Sequence, residues 1–487
     1  MKSNNMAVIV AIGEIRDRPT DLLDSLEPAK LMASAARRAD EDGGGAWLDR
    51  VDSLDVVHQK SWRYEDTAGA VAAALGIAPE RVRYGHYGGE TPVAMLDAAA
   101  RRVEGGASRV ALIVSGEAQY ASTRARRDGL DLGWTSLAKR EEHPFDPIGV
   151  IDPLAAAQGV LSPAQVYPLF ETAWIASKGL TQAEGIAASA DLWSRYAEVA
   201  RSNSFAWQQE TSDAQAIGDP QGANRWICWP YTRAMVANPE VNQGAAVIVT
   251  SLSEARRRGI ADDRLIHIGG GTHASEPRNW LLRDRLDRSG AQAAVLSAMD
   301  GRFDLAELYS CFPVVPKMAG DTLGEEMLDR PTVAGGLSFF GGPLNSYMLH
   351  AAAAMVRAVR AGQGARGLLY GQGEYLTKHH ALVLGREPGG ARPGRVQAIA
   401  DAARGLVPEL RPDAIGPATV EAHTVVFDRD GTPQFGAVVA RGIDGWRTLA
   451  RTVDAETIAR LIDPGPGPVG AAGLVRQVDS RPVWRFV

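Results

Sequence analysis

The sequence predicts a layered α/β protein built from two similar halves and followed by a small β-rich module. Three observations carry this expectation. Strand-length apolar runs alternate with alanine-rich helical tracts between residues 7 and 114. A second set of short apolar runs and helical tracts occupies residues 292–384, and short β-like runs gather beyond a stretch rich in proline and glycine.

In chain order, Ala7–Ile12 reads as a buried first strand and Ala29–Arg38 as a helix favoured by its alanines. Ser53–Val57 reads as a strand and Ala68–Leu75 as a helix. Arg81–Tyr87 carries a strand pattern into the loop Gly88-Gly89-Glu90-Thr91-Pro92. Pro92 suits the first turn of a helix over Val93–Val103, where its missing N–H costs nothing. Val110–Val114 returns to strand. From about Ser122 to Ala234 polar helices such as Gln182–Arg201 alternate with irregular tracts rich in Trp, Pro and Asn, as in an insertion or lid.

Val247–Thr250 and Arg264–Ile268 resume strand character. In the second half Gln292–Ala298 and Asn345–Ala361 read as helices, and Leu305–Leu308, Gly367–Tyr370 and Ala381–Leu384 as strands. The literal repeat between the halves is weak. Gly385–Gly394 concentrates proline and glycine and reads as a linker. Beyond it Ala422–Phe427, Gly436–Ala440 and Trp446–Ala450 are β-like, with Asp428-Arg429-Asp430-Gly431 a hairpin turn between the first two. The expected domains are residues 1–275 with a lid at 122–234, residues 276–387, and a barrel-like β module over 395–487.

The 487 residues suffice for at least two cores, and 23% charged with 45% hydrophobic residues is ordinary for a globular chain. A formal charge of -6 implies no broad basic surface, so nucleic acid is not an expected partner. No apolar run approaches the roughly 20 residues of a membrane span. The opening Met1-Lys2-Ser3-Asn4-Asn5 leads into a short apolar segment without a cleavage site, which reads as a strand rather than a signal peptide. Two cysteines, Cys228 and Cys311, give no disulfide framework, and a reducing cytoplasm is the simpler location.

Several segments carry groups with chemistry. The 88–91 loop stands before a helix, so its amides can face a thioester or phosphate. Glu90 is a candidate base weakened by the helix dipole, Thr91 a nucleophile or a cap, and His86 an ambiguous neighbour. Cys311, in Tyr309-Ser310-Cys311-Phe312-Pro313, reads as a buried thiol, a pocket residue or a nucleophile; Cys228, among aromatics, reads as packing. Gly335-Gly336-Leu337-Ser338 and Gly341-Gly342-Pro343-Leu344-Asn345-Ser346 fit either tight packing or a ligand's close approach, and Asn345 or Ser346 can cap the next helix. His379 and His380 point opposite ways if extended, so no metal site is expected. Gly-x-Gly-x-x-Gly after the first strand, the Walker loop, His-Glu-x-x-His and Gly-x-Ser-x-Gly are all absent.

Taken in order, the segments over residues 6–385 resemble the thiolase superfamily, in particular thiolase-like proteins related to the sterol-carrier-protein thiolases. The carriers are Ala7-Val8-Ile9-Val10-Ala11-Ile12-Gly13-Glu14, the 88–92 loop, Val114-Ser115-Gly116-Glu117, Asn242-Gln243-Gly244-Ala245-Ala246, Tyr309-Ser310-Cys311-Phe312 and the two glycine segments. The resemblance implies a duplicated five-layer α/β/α/β/α fold, a loop domain over the active site and homodimerisation. Residues after 395, with Ile415-Gly416-Pro417-Ala418-Thr419-Val420-Glu421, resemble the extra C-terminal module of type 1 thiolase-like proteins, an OB-like barrel.

The resemblance also locates missing chemistry. The family's acyl-accepting cysteine falls at about Gly88. Its Asn-Glu-Ala-Phe or His-Asp-Cys-Phe motif falls on Tyr309-Ser310-Cys311-Phe312. The histidine of Gly-His-Pro is Gly342, and Cys-x-Gly becomes Gly371-Gln372-Gly373. Thiolysis needs a covalent acyl acceptor, a proton shuttle and oxyanion donors; the first two are gone. The expectation is therefore an atypical thiolase-like protein that binds CoA or an acyl-CoA through Gly88, Gly89, Gly341, Gly342, Gly371 and Gly373. The alternatives are acyl transfer by His86, Glu90, Cys311, Ser338 or His379, and a non-catalytic structural partner of an enzyme of lipid metabolism.

Overall fold

The computed structural model describes residues 5–210, 212–389 and 393–487; residues 1–4 and the middle of the expected linker, 390–392, lie outside them. The first half runs β1 (Ala7–Arg16), α1 (Pro28–Asp42), β2 (Ser53–Val56), α2 (Thr67–Leu75), β3 (Arg81–Tyr84), α3 (Thr91–Glu104) and β4 (Val110–Ala118). The lid follows as α4 (Gln119–Asp128), α5 (Pro153–Gln158), α6 (Pro163–Ser177), α7 (Gln182–Ser202), α8 (Ala214–Gly218), β5 (Trp226–Cys228) and β6 (Tyr231–Thr232). The chain then returns through β7 (Asn242–Ser251), α9 (Leu252–Arg257) and β8 (Ile266–Ser275). It continues into α10 (Gly290–Ser297), β9 (Leu305–Leu308), α11 (Val314–Leu323), α12 (Tyr347–Arg360), β10 (Arg366–Gly373), β11 (Lys378–Gly385) and β12 (Gly394–Arg395).

The strand order β3-β2-β4-β7-β1-β8-β11-β10-β9 shows the duplication. Read outward from the centre, β1-β7-β4-β2-β3 repeats as β8-β11-β10-β9, and the halves meet where Val8 pairs with His267 and Ile9 with Ile266. β8, inside the first half as read from sequence, runs along β11 from His267 to Ser275 and touches β1 only at those two positions. Helices α3 and α12 pack against strands of both halves and form the middle layer, with α1 and α2 outside one sheet and α10 and α11 outside the other. Their sequences suit that place: twelve of the fourteen α12 residues are buried, most of them alanine, valine or methionine, so backbones on both sides can approach. This is the five-layer α/β/α/β/α arrangement. β1, buried on both faces, opens on the apolar run Ala7–Ile12, as such burial favours.

After α13 (Gln397–Ala402) come β13 (Gly416–Phe427), β14 (Pro433–Gly442), β15 (Arg447–Thr452), α14 (Ala455–Leu461), β16 (Ala472–Val478) and β17 (Arg481–Phe486). They close in the order β13-β14-β15-β17-β16-β13, with β15 and β17 parallel and α14 bridging β15 to β16. This is a small closed OB-like barrel. The barrel also grips the lid: Val426 of β13 pairs with Cys228 of β5, and Gln158 Nε2 donates to the Leu449 and Pro482 carbonyls at 3.1 and 3.0 Å. Thr172 Oγ1 donates to the His423 carbonyl at 2.9 Å and accepts its amide at 3.1 Å. Arg447, wholly buried, ties Glu421 to the Leu281 and Arg283 carbonyls of the second half.

His423 is fully buried on β13 and neither ring nitrogen has a hydrogen-bond partner. Burial alone pushes its pKa down to about 3. A histidine held neutral in the fold adds stability above its unfolded pKa of about 6.5, and that contribution is lost as pH falls from there toward 3. We expect His423→Leu to raise the melting temperature, because the unpartnered imidazole costs about 1–3 kcal/mol. The gain should widen when pH is lowered from 7.5 to 5, measured by calorimetry; a pH-independent difference would contradict this.

Candidate functional site

The four loops singled out in the sequence meet under the lid. They line a cavity of about 470 Å3 whose walls include Gly88, Gly89, Tyr309, Cys311, Gly342, Asn345, Gln372 and Gly373. The lid contributes Phe145, Val150, Ile151, Leu161 and Tyr167, and the segment leading into β7 adds Val236 and Ala237, so most of the lining is apolar. The lid is held shut by stacking and by charge. Phe312 lies between Tyr167 and Tyr231, with ring centroids 4.5 and 5.5 Å away. Behind it the buried Lys317 of α11 meets Glu171 of α6 at 2.6 Å, and Tyr231 donates to the same carboxylate at 2.6 Å.

The floor of the cavity is shaped by Glu90, at the N-cap of α3. Its Oε1 lies 2.6 Å from Nε2 of the half-exposed His86, whereas its buried Oε2 has no hydrogen-bond partner. A Cβ added at Gly88 or at Gly373 would run into this carboxylate, and one at Gly371 would run into the Glu90 backbone. Gly89 is equally constrained, by the Tyr309 hydroxyl. At 89 and 371 fixed atoms leave no room for a side chain, whereas at 88 and 373 a side chain would have to displace the end of Glu90. The carboxylate fills the volume that side chains at 88 and 373 would need.

Of the two thiols, only Cys311 reaches the cavity. Burial pushes its pKa up to about 12, and Gln372 Nε2 lies 3.1 Å from its sulfur, so it stays a neutral thiol and a poor nucleophile. Cys228, likewise pushed up to about 12 by burial, sits in β5 against the barrel. Ser338 is taken up by Trp193 Nε1 at 2.9 Å and the Val236 carbonyl at 3.0 Å. His379 is buried outside the cavity: its Nδ1 meets the Tyr370 hydroxyl at 2.8 Å, its Nε2 meets the Leu376 carbonyl at 3.0 Å, and burial lowers its pKa to about 4. The imidazole is neutral and held in place. Gly341 and Gly371 serve packing, against Gln243 and Val241 in one case and against α3 in the other. Gly88, Gly89, Gly342 and Gly373 face the cavity. Among the described residues no group of His, Cys, Asp or Glu is arranged to hold a metal.

The amides are not equivalent. Gly88 N–H donates to Asn345 Oδ1 at 3.0 Å, and Asn345 is itself fixed by His58, through Nδ1 and the carbonyl, at 3.1 Å each. The Gly342 amide is spent on the Asn238 carbonyl at 2.7 Å. The Gly89 amide has no partner among the described residues. It sits just ahead of α3, where the helix dipole favours electron-rich oxygen.

Sequence reasoning missed Lys60 and Tyr309 as site residues and weighed Asn345 only as a cap. Lys60 stands on the cavity rim with its ammonium 5.3 Å from the Tyr87 ring and 5.7 Å from that of Phe145, and makes no ion pair among the described residues. Its loop is clamped by Glu117, which accepts the Lys60 and Ser61 amides at 2.9 Å each; burial pushes the Glu117 carboxyl up to about 7. The Val114-Ser115-Gly116-Glu117 run was a visible signal for that clamp. Nothing local to Lys60 gives it away.

Fold and cavity together define a thiolase-type protein. Known proteins agree on the fold. Residues 396–480 match the family described as the thiolase-like protein type 1 additional C-terminal domain. A monomeric SCP2-thiolase like protein type 1 (STLP1) from Mycobacterium smegmatis superposes with a TM-score of 0.84 at 25% identity, over 100% of both chains. The Ltp2–ChsH2(DUF35) aldolase gives 0.58 at 18% identity, over 79% of this chain and 98% of that one. Human mitochondrial 3-ketoacyl-CoA thiolase in complex with CoA gives 0.55 at 15%, over 78% and 98%. No curated protein matches the sequence. Over its whole length the chain is similar to the SCP2-thiolase-like proteins of type 1, with the fold of the thiolase superfamily. It is an atypical thiolase-like protein.

The Glu90 carboxylate makes a testable statement about position 88, where the resemblance implies a cysteine in the family. Gly88→Cys should lower stability by about 1–3 kcal/mol through overpacking and should yield no thiolysis of acetoacetyl-CoA. Adding Glu90→Ala should recover most of the lost melting temperature. If the single variant is as stable as the parent, Glu90 does not fill that volume.

Proposed function

We propose that the chain binds an acyl-CoA in the cavity under the lid without carrying out thiolysis. The observation that carries this reading is the cavity itself: an apolar chamber of about 470 Å3 under the converging loops, with a lysine at its rim that makes no ion pair among the described residues. The apolar wall suits an acyl chain, and Lys60 suits the phosphates of CoA. A protonated thiol at Cys311 and a neutral, fully bonded His379 leave no activated nucleophile and no shuttle beside it. The human thiolase of the same fold is described in complex with CoA. Calorimetric titration should show saturable binding of acetyl-CoA or hexanoyl-CoA, weakened about tenfold, or about 1.4 kcal/mol, by Lys60→Glu. Acetoacetyl-CoA thiolysis should be flat. Absence of binding, or robust turnover with a trapped acyl-cysteine, would refute the reading.

A monomer fits this reading better than the homodimer implied by resemblance. β3 is the open edge of the first half, only four residues long, with Arg81, Val82 and Arg83 exposed. Pairing that edge with its own copy would bring like charges together. The Mycobacterium smegmatis relative is described as monomeric. No helix among the described residues is long and apolar enough to cross a membrane, and a cytoplasmic location remains the reading taken from the two free cysteines. Light scattering on the eluting protein should return the mass of one chain at micromolar concentration; a stable two-chain mass would contradict it.

A further inference from the structure

Tyr309 presents a polar atom with no protein partner to the cavity. The residue is 6% exposed, lines the chamber, and its hydroxyl makes no hydrogen bond among the described residues. The ring is fixed rather than free to swing. Its amide donates to the Tyr370 carbonyl at 3.0 Å, and its face meets the Tyr347 ring edge-on at 6.1 Å and 86°. The hydroxyl is pressed so closely on Gly89 that no side chain fits there. The hydroxyl opens onto the chamber, so an acceptor bound there is within its reach.

The second donor at this place is the Gly89 amide, unpartnered at the head of the fourteen-residue helix α3. The two donors arrive from different halves of the protein, one from the loop after β9 and the other from the loop before α3. The neighbouring Gly88 amide cannot join them, because Asn345 holds it. Two neutral donors side by side in a mostly apolar chamber match a carbonyl oxygen better than a phosphate, whose charge calls for cations. Among the described residues Lys60 alone brings a cation to the cavity wall, and it is exposed at the rim. Burial and the nearby Cys311 and Glu90 keep the phenol protonated, and therefore a donor, at all physiological pH.

We propose that the Tyr309 hydroxyl and the Gly89 amide together grip the thioester carbonyl of the bound acyl-CoA, so that the site selects acyl thioesters over free CoA and over CoA thioethers. This rests on the acyl-CoA reading and adds to it the group that is recognised. Phosphates at Lys60 alone would hold all three ligands alike. The paired donors discriminate by the one atom that thioethers lack.

The experiment titrates hexanoyl-CoA, S-hexyl-CoA and CoA into the full chain and into Tyr309→Phe, which keeps the ring. The parent should bind hexanoyl-CoA about tenfold more tightly than S-hexyl-CoA, and Tyr309→Phe should abolish that preference while leaving S-hexyl-CoA affinity unchanged. Isotope-edited infrared spectroscopy of carbonyl-labelled hexanoyl-CoA gives a second readout: the bound carbonyl band should fall in frequency, and recover partly in Tyr309→Phe. Equal affinity for thioester and thioether in the parent, or an equal loss for both in the variant, overturns the carbonyl grip while the acyl-CoA reading stands. Failure of all three ligands to bind overturns both.

Discussion

The rest of the site depends on the wedge of Glu90 between two glycine-bearing segments. Its carboxylate lies where side chains at Gly88 and Gly373 would go, and its backbone presses on Gly371. The head of α3 is thereby brought into contact with the end of β10, so that the two halves close on each other at the cavity floor. One carboxylate oxygen is bonded to His86 and the other is buried without a partner. The packing therefore carries a polar cost, which the surrounding core offsets. The same close approach leaves little room for side chains at 88 and 373 and sets Gly89 beside the Tyr309 hydroxyl.

A second consequence concerns the lid and the barrel. The lid is locked to the second half by the Tyr167–Phe312–Tyr231 stack and by Lys317 on Glu171. A buried ion pair of this kind punishes loss of either partner severely, by about 3–5 kcal/mol. Behind the lid stands the barrel, joined through Thr172, Gln158 and β5. What composition marked as an appendage is a buttress, and the residue matches to a type 1 additional C-terminal domain fall on it. The chamber is thus walled by three parts of the chain and braced by a fourth.

Most of the regular elements were legible. Leu305–Leu308 coincides with β9, and Ala7–Ile12, Val110–Val114 and Ala422–Phe427 each fall inside a longer strand. The ends were less visible because strands such as β4 and β7 extend into Gly- and polar-containing runs, Ser115-Gly116-Glu117 and Asn242-Gln243-Gly244, that periodicity discounts but ladder hydrogen bonds hold. The candidate site divided. Gly88, Gly89, Gly342, Gly373 and Cys311 meet at the cavity, whereas Ser338 and His379 are consumed by internal hydrogen bonds. No single-residue signal separates these groups, since a bonded histidine and a catalytic one are the same letter.

The sequence by itself determined the layered α/β class and the barrel at its end, because these follow from local periodicity. Tertiary structure alone decided which amide is free, that Glu90 lies where side chains at 88 and 373 would go, and that Lys60 and Tyr309 face one chamber. Those facts are distances between segments far apart in the chain. Burial, which sets whether a thiol or an imidazole can ionise, is a property of the packed whole and not of any stretch of residues.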